Sequence, residues 1–448
     1  MDNKLSQNFN AYSLIKFTLP TTIMLVFMSL YQMVDGVFVA NFVGANALSA
    51  LNIVYPAPSI IIAVSIMLAS GGSAIIAKNM GEKKAQEAKE NFSMIILTGF
   101  IFGIAFLILG TFFLKQIILM LGATPNLYDY CYDYLLILVL SSPLAVFQML
   151  FQTFFVTAGK PHIGLAMTIT GGCANTVLDY LFIAVLQMGV TGAALATAIG
   201  YSIPGIFGLL YFTFNRKGTL YLVKPVFRKR ILLYSCANGS SEMVNNIAVS
   251  ITTFLFNVLM LKYMGEPGVA AITIVLYAQF LMTSVFMGFS TGIAPIISYN
   301  YGKQNNSRLQ NLFRISIRMV VIISASVFII AEVFSPYIVR AFAAPESEVF
   351  QIAKHGFALF SISFLFTGVN IFSSAMFTAF SDGKISAVIS FLRTFVFLVL
   401  CLLALPVFLD IDGLWMAVPV AEGLAFIVCL YYLAARKNVY HYMEAKSK

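Results

Sequence analysis

The chain has 448 residues, of which 60% are hydrophobic and only 10% are charged, and its mean hydropathy is +0.90. Soluble domains carry about 25% charged residues, so this composition predicts an all-α integral membrane protein with several spans. The net charge of +9 does not indicate nucleic-acid binding, because the basic residues recur at alternate loops. The first 13 residues are polar and do not resemble a cleaved signal peptide.

Twelve apolar segments are long enough to cross a bilayer, which takes about 20 residues per helix. They lie near 14–38, 52–77, 93–118, 134–158, 162–187, 191–214, 231–260, 269–297, 312–336, 354–380, 385–408 and 413–435. Of the 27 lysines and arginines, 23 fall on the side of both chain termini, with Arg393 assigned to its nearest loop. The positive-inside rule then predicts cytoplasmic termini in a plasma (inner) membrane. The exceptions are Lys115, Lys262, Arg340 and Lys354.

An internal repeat is visible in the loop glycines. A shift of 221 residues places Gly44 on Gly265, Gly81 on Gly302 and Gly192 on Gly413. The repeat predicts two six-helix halves, residues 1–214 and 231–448, joined by a basic cytoplasmic linker at 215–230. Each half has an even number of spans, so the halves are expected to be parallel repeats about an axis along the membrane normal. Repeats of this kind are typical of secondary transporters.

Motifs for enzymatic chemistry are missing from the sequence. The five cysteines are scattered without a CxxC pair, and the three histidines form no metal set. No Walker loop, HExxH motif or nucleophile elbow occurs. We therefore expect no cofactor, no resident metal and no ATP-driven step, and the protein is not expected to be an enzyme. It is expected to be a monomer.

Two aspartates lie inside apolar segments, where a charge is costly. An aspartate at the centre of a membrane helix costs about 2.5–3.5 kcal/mol on insertion scales, and such acids often handle protons or ions. Tyr31 lies four residues before Asp35, and Asn175 lies four residues before Asp179. This spacing puts each pair on one helix face. The sequence therefore predicts two polar helix faces in the N-terminal half.

These faces are predicted to lie at one depth. Asp35 follows Lys16 by nineteen residues, which is about 28 Å along a helix. Asp179 follows Lys160 by the same distance, and Thr197 lies near the outer start of the sixth segment. The acids and their polar neighbours are thus expected to form one cluster towards the outer leaflet.

Carboxylates removed from water and placed side by side bind protons more tightly and titrate as a pair. We expect Asp35 and Asp179 to alternate between protonated and charged states, with Tyr31, Asn175 and Thr197 as hydrogen-bond partners. The proton is the favoured coupling ion. Sodium stays open, because Asp35, Asn175, Asp179 and Thr197 would also supply the oxygen ligands that hard cations take.

Three further charges lie within predicted spans. Glu242 is about 18 Å into the seventh segment, and it is either bonded to Asn245 or Asn246 or attracts cations into a central cavity. Arg393 and Glu422 reach nearly the same depth in the last two segments. Their depths predict a buried salt bridge in the C-terminal half.

Several stretches resemble a known family. Pro20 with the following YQMVDGVFVANFVGANALSALNIVYP, and NTVLDYLFI with GVTGAALATAIG, are similar to the multidrug and toxic compound extrusion (MATE) family, and closer to its DinF-like prokaryotic branch. The resemblance implies the twelve-helix plan and an ion-coupling cluster at Tyr31, Asp35, Asn175, Asp179 and Thr197. It also implies that the first helix bends at Pro20.

The other branch of that family carries acids on helices 7 and 10. Glu242 matches the first of them, but Asn370 stands at the second, which favours the N-terminal cluster for coupling. Further cavity positions are predicted among soft or polar side chains near the acids. They are Gln32, Met33, Phe147, Gln148, Phe151, Gln152 and Met282, together with Glu242 and Asn370.

The sequence thus predicts a secondary active multidrug efflux antiporter. It would export amphipathic, mainly cationic organic compounds in exchange for protons or sodium. The alternative is a lipid-linked saccharide flippase of the same broad superfamily, which would be expected to carry more basic residues in its cavity.

Overall fold

A computed structural model describes residues 4–443, except for the side chains at positions 36, 37, 40, 41, 45 and 48. All regular elements in this range are helical. The membrane helices are α1 (Ala11–Phe42), α2 (Pro56–Gly81), α3 (Ala85–Phe112), α4 (Tyr128–Leu140 and Ser142–Thr157), α5 (Pro161–Val185), α6 (Gly189–Phe214), α7 (229–264), α8 (266–302), α9 (Asn306–Arg340), α10 (Glu348–Ser361 and Phe364–Ala379), α11 (383–409) and α12 (411–440).

Two pairs of consecutive helices, α7 with α8 and α11 with α12, follow each other without a loop and are separated by a kink. The helix over Lys229–Gly302 has 74 residues, which would measure about 110 Å if straight, far more than the bilayer core of about 30 Å. It breaks at Gly265, and the run into α12 breaks at Asp410 (φ 49°). Two other spans, α4 and α10, bend by 55° and 51°. The predicted twelve-helix plan is therefore confirmed.

The repeat glycines lie at equivalent structural positions. Gly44 follows α1 with φ 110°, and Gly265 follows α7 with φ 67°. Side chains rarely adopt this left-handed region, so glycine is favoured at both turns. The chain is not helical between Asn215 and Arg228, where the sequence predicts the linker between the halves.

The two halves meet where α2 crosses α8. A Cβ atom on Gly81 would overlap the carbonyl oxygen of Tyr299, and one on Gly302 would overlap that of Lys78. The two glycines are one repeat apart, so this contact is reciprocal. Small residues at helix crossings in membranes allow backbones to approach this closely.

The same packing recurs where α2 meets α7. A Cβ on Gly71 would overlap the carbonyl oxygen of Ser235, and one on Gly239 would overlap that of Met67. We call the contacts of Gly71, Gly81, Gly239 and Gly302 the inter-half seal. The seal is built from backbone against backbone, so the halves cannot pack this way with larger residues at these positions.

The first and last residues that the structure describes lie at this sealed end. Leu5 and Phe9 of the N-terminal segment are buried in an apolar cluster with residues of α8 and α9. Asn311 donates to the carbonyl oxygen of Phe9 at 3.0 Å. Tyr440 at the end of α12 donates to Asp382 at 2.5 Å. The N-terminal segment therefore ties the first half to the second at the sealed end.

Replacing Gly81 with alanine is expected to open the seal, because the new Cβ would overlap a backbone oxygen that cannot move aside. The measurement is the distance between spin labels on Lys84→Cys and Lys303→Cys, in a background without the native cysteines. The Gly81→Ala distribution should shift to longer distances. Gly423→Ala is the control, since its Cβ meets nothing closer than 4.0 Å. An unchanged distribution in Gly81→Ala would show that the seal does not hold the halves together.

Candidate functional site

The structure brings the two predicted acids together. Asp35 of α1 and Asp179 of α5 lie close enough for their carboxyl groups to interact electrostatically. Asp179 is fully buried and is the last residue before a π-helical turn at Tyr180–Val185. Two ionised carboxylates can only accept hydrogen bonds, so the two groups can share a hydrogen bond only when one of them carries a proton.

The predicted polar neighbours surround this pair. Both carboxylate oxygens of Asp179, Oδ1 of Asp35, Oδ1 of Asn175 and Oγ1 of Thr197 are buried without a hydrogen-bond partner among the described residues. Buried polar atoms in a protein are normally satisfied. Most of these atoms are acceptors, which protons or a small cation could satisfy.

Glycines allow α1, α5 and α6 to converge here. A Cβ on Gly171 would lie 2.7 Å from the carbonyl oxygen of Gly200, and one on Gly172 would lie 2.6 Å from the ring of Phe27. The close packing leaves a small cavity beside the acids. Its lining residues are Tyr31, Gly171, Asn175, Thr197, Gly200 and Tyr201.

Two tyrosines at the site were not predicted. Tyr201 of α6 and Tyr134 of α4 both lie within electrostatic range of Asp35. Tyr201 follows Thr197 by four residues, so helical spacing would have placed it on the same face. Tyr134 carries no such signal, because its approach depends on the bend in α4.

The predicted cavity residues of α1 and α4 differ in burial and in their hydrogen-bond partners. Gln148 is buried and lies within hydrogen-bonding reach of Tyr31, so it joins the acid cluster. Gln152 is also buried, but its amide donates to Thr168 at 2.8 Å. Gln32 lies on the exposed surface of α1.

Other predicted cavity residues lie in packed surroundings. Met33 is half-buried. Phe147 and Phe151 belong to an apolar cluster of α2, α3, α4 and α6. Met282 packs on an apolar cluster of the C-terminal half. Direct contact with the acid cluster is thus seen for Gln148 but not for these four side chains.

The salt bridge predicted in the C-terminal half is confirmed. Nε of Arg393 lies 2.8 Å from Oε1 and 3.0 Å from Oε2 of Glu422. Asn370 donates from Nδ2 to Oε2 of Glu422 at 2.7 Å. Asn370 is fully buried and lies in the ion-pair cluster, and its place in a substrate cavity stays a prediction.

Glu242 is separate from this ion pair but near it. Its side chain is half-buried and lies within hydrogen-bonding reach of Asn245 and within electrostatic range of Arg393. Asn246 donates to its backbone oxygen at 2.9 Å. The structure therefore shows the predicted amide neighbours and leaves the residue partly exposed.

Pro20 lies inside α1, which stays helical through it. Proline removes one backbone donor and one intrahelical hydrogen bond. Thr18, two residues earlier, donates its hydroxyl to the carbonyl oxygen of Leu14 at 3.0 Å. This turn of α1 thus lacks one backbone hydrogen bond, and the bend predicted at Pro20 stays a prediction.

We expect Arg393→Ala to destabilise the protein strongly, because Glu422 would be left buried and unpaired. Breaking one side of a buried pair costs about 3–5 kcal/mol. The measurement is the thermal unfolding midpoint in detergent. The exchanged pair Arg393→Glu with Glu422→Arg should recover much of the loss. A single substitution without effect would contradict the role of this ion pair in stability.

A bundle of twelve helices in two repeats, with a buried acid pair in one of them, is the architecture of a membrane transporter rather than an enzyme. The MatE family model matches residues 20–181 and 243–403, one match in each half. The chain belongs to the MatE family.

Curated relatives and solved structures agree with this assignment. The chain is 23% identical over 441 residues to the multidrug export protein MepA of Staphylococcus saprophyticus subsp. saprophyticus, covering 96% of this chain and 95% of the relative. It is 22% identical to MepA of Staphylococcus haemolyticus, covering 95% and 94%. Assignment to the DinF-like branch stays a prediction.

Solved structures share the fold over nearly the whole chain. One is described as the outward-facing conformation of a multidrug resistance MATE family transporter, with a TM-score of 0.91, 22% identity and 98% of both chains covered. MATE in the straight conformation gives a TM-score of 0.92 at 21% identity, with the same coverage. MATE in the bent conformation gives 0.88 at 21% identity, covering 98% of this chain and 97% of the other.

Proposed function

We propose that the protein is a secondary active multidrug efflux antiporter, which exports amphipathic, mainly cationic organic compounds in exchange for protons. The observation that carries the proposal is the buried pair of acids, Asp35 and Asp179, whose carboxyl groups lie near each other and can share a proton. Membership of the MatE family and similarity to proteins named multidrug export protein MepA support the drug-export part.

The mechanism links the protonation of the acids to the position of α1. Gain of a proton neutralises the acid pair and lets Asp35 and Asp179 close on each other. Loss of the proton leaves adjacent negative charges that repel, which separates α1 from α5. Pro20 supplies a weak point at which α1 bends, and substrate is released as the cavity changes shape.

The proximity of the two carboxyl groups favours the proton over sodium. A sodium ion would take several oxygen ligands around itself, whereas a single proton can be shared between two neighbouring carboxyl groups. The partnerless oxygens of Asn175 and Thr197 keep sodium as the alternative ion.

The distribution of lysines and arginines favours an orientation with both termini, and hence the sealed end, in the cytoplasm. We propose that the protein lies in the plasma membrane and is a monomer. The flippase alternative receives no support from the site, because Arg393, the basic residue deepest in the spans, is already paired with Glu422.

Neutralising either acid is expected to abolish proton-coupled export. Asp35→Asn and Asp179→Asn each keep the side-chain size but remove a titrating group, so the pair can no longer exchange a proton. The assay is uptake of a fluorescent organic cation into inside-out vesicles, under an imposed pH gradient without sodium and, separately, under a sodium gradient without a pH gradient.

The matched control is Asp133→Asn, which neutralises an exposed acid at the start of α4. It should transport like the unaltered protein. Transport by the unaltered protein under the sodium gradient alone would reverse the choice of ion. Full proton-driven transport in the doubly neutral Asp35→Asn, Asp179→Asn protein would contradict the coupling site itself.

Glu242→Gln is expected to impair transport of cationic substrates more than that of neutral ones, because it removes the negative charge of a partly exposed residue but keeps the hydrogen-bonding shape. The measurement is the apparent KM for a cationic and a neutral dye of similar size. Glu266→Gln, at the exposed start of α8, is the control. Equal losses for both dyes would indicate a structural role for Glu242.

A further inference from the structure

The linker between the halves is fixed against α3, although it is not helical. Val223 donates its backbone N–H to Oγ of Ser93 at 2.9 Å. Arg228 donates its backbone N–H to Sδ of Met94 at 3.3 Å. The guanidinium of Arg228 also pairs with Glu90, with Nη2 2.5 Å from Oε2. The second part of the linker therefore runs along α3 in a defined position.

These contacts place the linker where α3 enters its apolar segment. Met94 lies nine residues after Ala85, the first residue of α3, which is about 14 Å along the helix. The apolar segment predicted from the sequence begins near residue 93, at the same level. Helix α7 starts directly after Arg228, so its first turn also lies at this boundary.

At this boundary the chain exposes apolar and basic side chains side by side. Three apolar side chains are 42%, 69% and 58% exposed, and they are those of Val226, Phe227 and Leu233. Three exposed basic residues lie among them, and they are Lys224, Lys229 and Arg230. We call these six residues the linker patch. Arg230 and Leu233 are three residues apart, so they share one face of α7.

The basic residues of the linker patch have no counter-charge in the protein. From Asn215 to Tyr234 the sequence contains six lysines and arginines and no acidic residue. Arg228 is paired with Glu90 of α3. Lys224, Lys229 and Arg230 form no ion pair with any residue that the structure describes. The patch thus combines unpaired positive charge with uncovered apolar surface.

We infer that the linker patch binds an anionic phospholipid from the leaflet at the sealed end. The phosphate lies among Lys224, Lys229 and Arg230, and the acyl chains cover Phe227 and Leu233. Basic segments next to membrane helices attract anionic lipids in this way. A soluble phosphate compound would leave the apolar part of the patch uncovered, which favours a lipid.

A lipid in this position would touch both the linker, which is fixed to α3 of the first half, and the start of α7 in the second half. It would hold the connection between the halves at the membrane boundary. Lipid binding here goes beyond the proposed export function and does not depend on it, since neither the acid pair nor a transported compound takes part.

The test places a fluorescent reporter inside the patch. The chain has a single tryptophan, Trp415, which is fully buried and out of reach of lipid. The variant Phe227→Trp adds a second one, and the emission of the unaltered protein is subtracted. The protein is reconstituted into bilayers of phosphatidylcholine and phosphatidylglycerol in a fixed ratio. Brominated acyl chains, which quench tryptophan on contact, are carried either by the phosphatidylglycerol or by an equal amount of the phosphatidylcholine.

We expect the new tryptophan to be quenched more by brominated phosphatidylglycerol. The preference over phosphatidylcholine should be at least about fivefold, the effect of one basic residue near an anionic surface. Neutralising the three basic residues of the patch should abolish the preference, through the substitutions Lys224→Gln, Lys229→Gln and Arg230→Gln. The matched control removes the same charge from exposed positions elsewhere at the sealed end and should keep the preference, through Lys83→Gln, Lys303→Gln and Arg436→Gln.

Three results would overturn the inference. Equal quenching by the two brominated lipids, or by neither, would show that the patch selects no anionic lipid. A preference that survives neutralisation of the patch would assign it to other residues. Loss of the preference on adding soluble glycerol phosphate would assign the patch to soluble phosphate compounds instead. Should the triply neutral variant lack a cooperative thermal transition, Lys224→Gln alone decides, and it should lower the preference.

Discussion

The structure depends on one constraint, which is that a charge inside the membrane must find a partner within the protein. Hydrocarbon offers no hydrogen bonds, and an unpaired carboxylate there costs several kcal/mol. The C-terminal half meets the constraint internally, because Arg393 supplies a fixed cation to Glu422. Among the described residues of the N-terminal half, no cation is paired with Asp35 or Asp179, which is consistent with the proposal that these acids take a proton or an ion from solution. On this proposal one half is a stable scaffold and the other is a site of exchange.

The internal repeat relates a position beside the acid pair of one half to a position in the ion pair of the other. The 221-residue shift that aligns the loop glycines places Glu422 of α12 on Tyr201 of α6. Tyr201 lines the small cavity beside the acid pair, whereas Glu422 accepts from Arg393 and Asn370. Equivalent positions of the two repeats thus carry a tyrosine beside the acid pair in one half and the carboxylate of an ion pair in the other.

Helix α1 connects the acid pair to the contact between the halves. Its outer part carries Asp35, while Thr18 and Thr22 of its inner part pack against Gly292 and Gly288 of α8. Pro20 lies between these two threonines. A change in the charge of Asp35 therefore acts on an element that also touches the opposite half, close to the inter-half seal. Glycine packing makes that seal sensitive to small shifts, because backbone contacts cannot be kept by rearranging side chains.

The sequence alone identifies the important charged residues inside the membrane. A charge in an apolar segment is costly, so such a residue stands out before its partner is known. Helical spacing and depth from the basic helix ends were enough to pair Asp35 with Asp179 and Arg393 with Glu422. Helical periodicity shows on which face of its own helix a residue lies, but not which other helix packs against that face. The place of Tyr134 at the site and the burial of Asn370 were therefore not predicted. The contact of Gly71 with α7 depends on how the halves dock, which no local pattern records.

The central claim is that Asp35 and Asp179 share a proton that is given up when substrate binds. Infrared difference spectroscopy of the purified protein, with and without a bound organic cation, detects this directly. We expect substrate to remove the carbonyl stretch of a protonated carboxyl group, and we expect this loss to be absent from Asp35→Asn and Asp179→Asn. A loss of the same size in both variants, or none in the unaltered protein, would contradict the account.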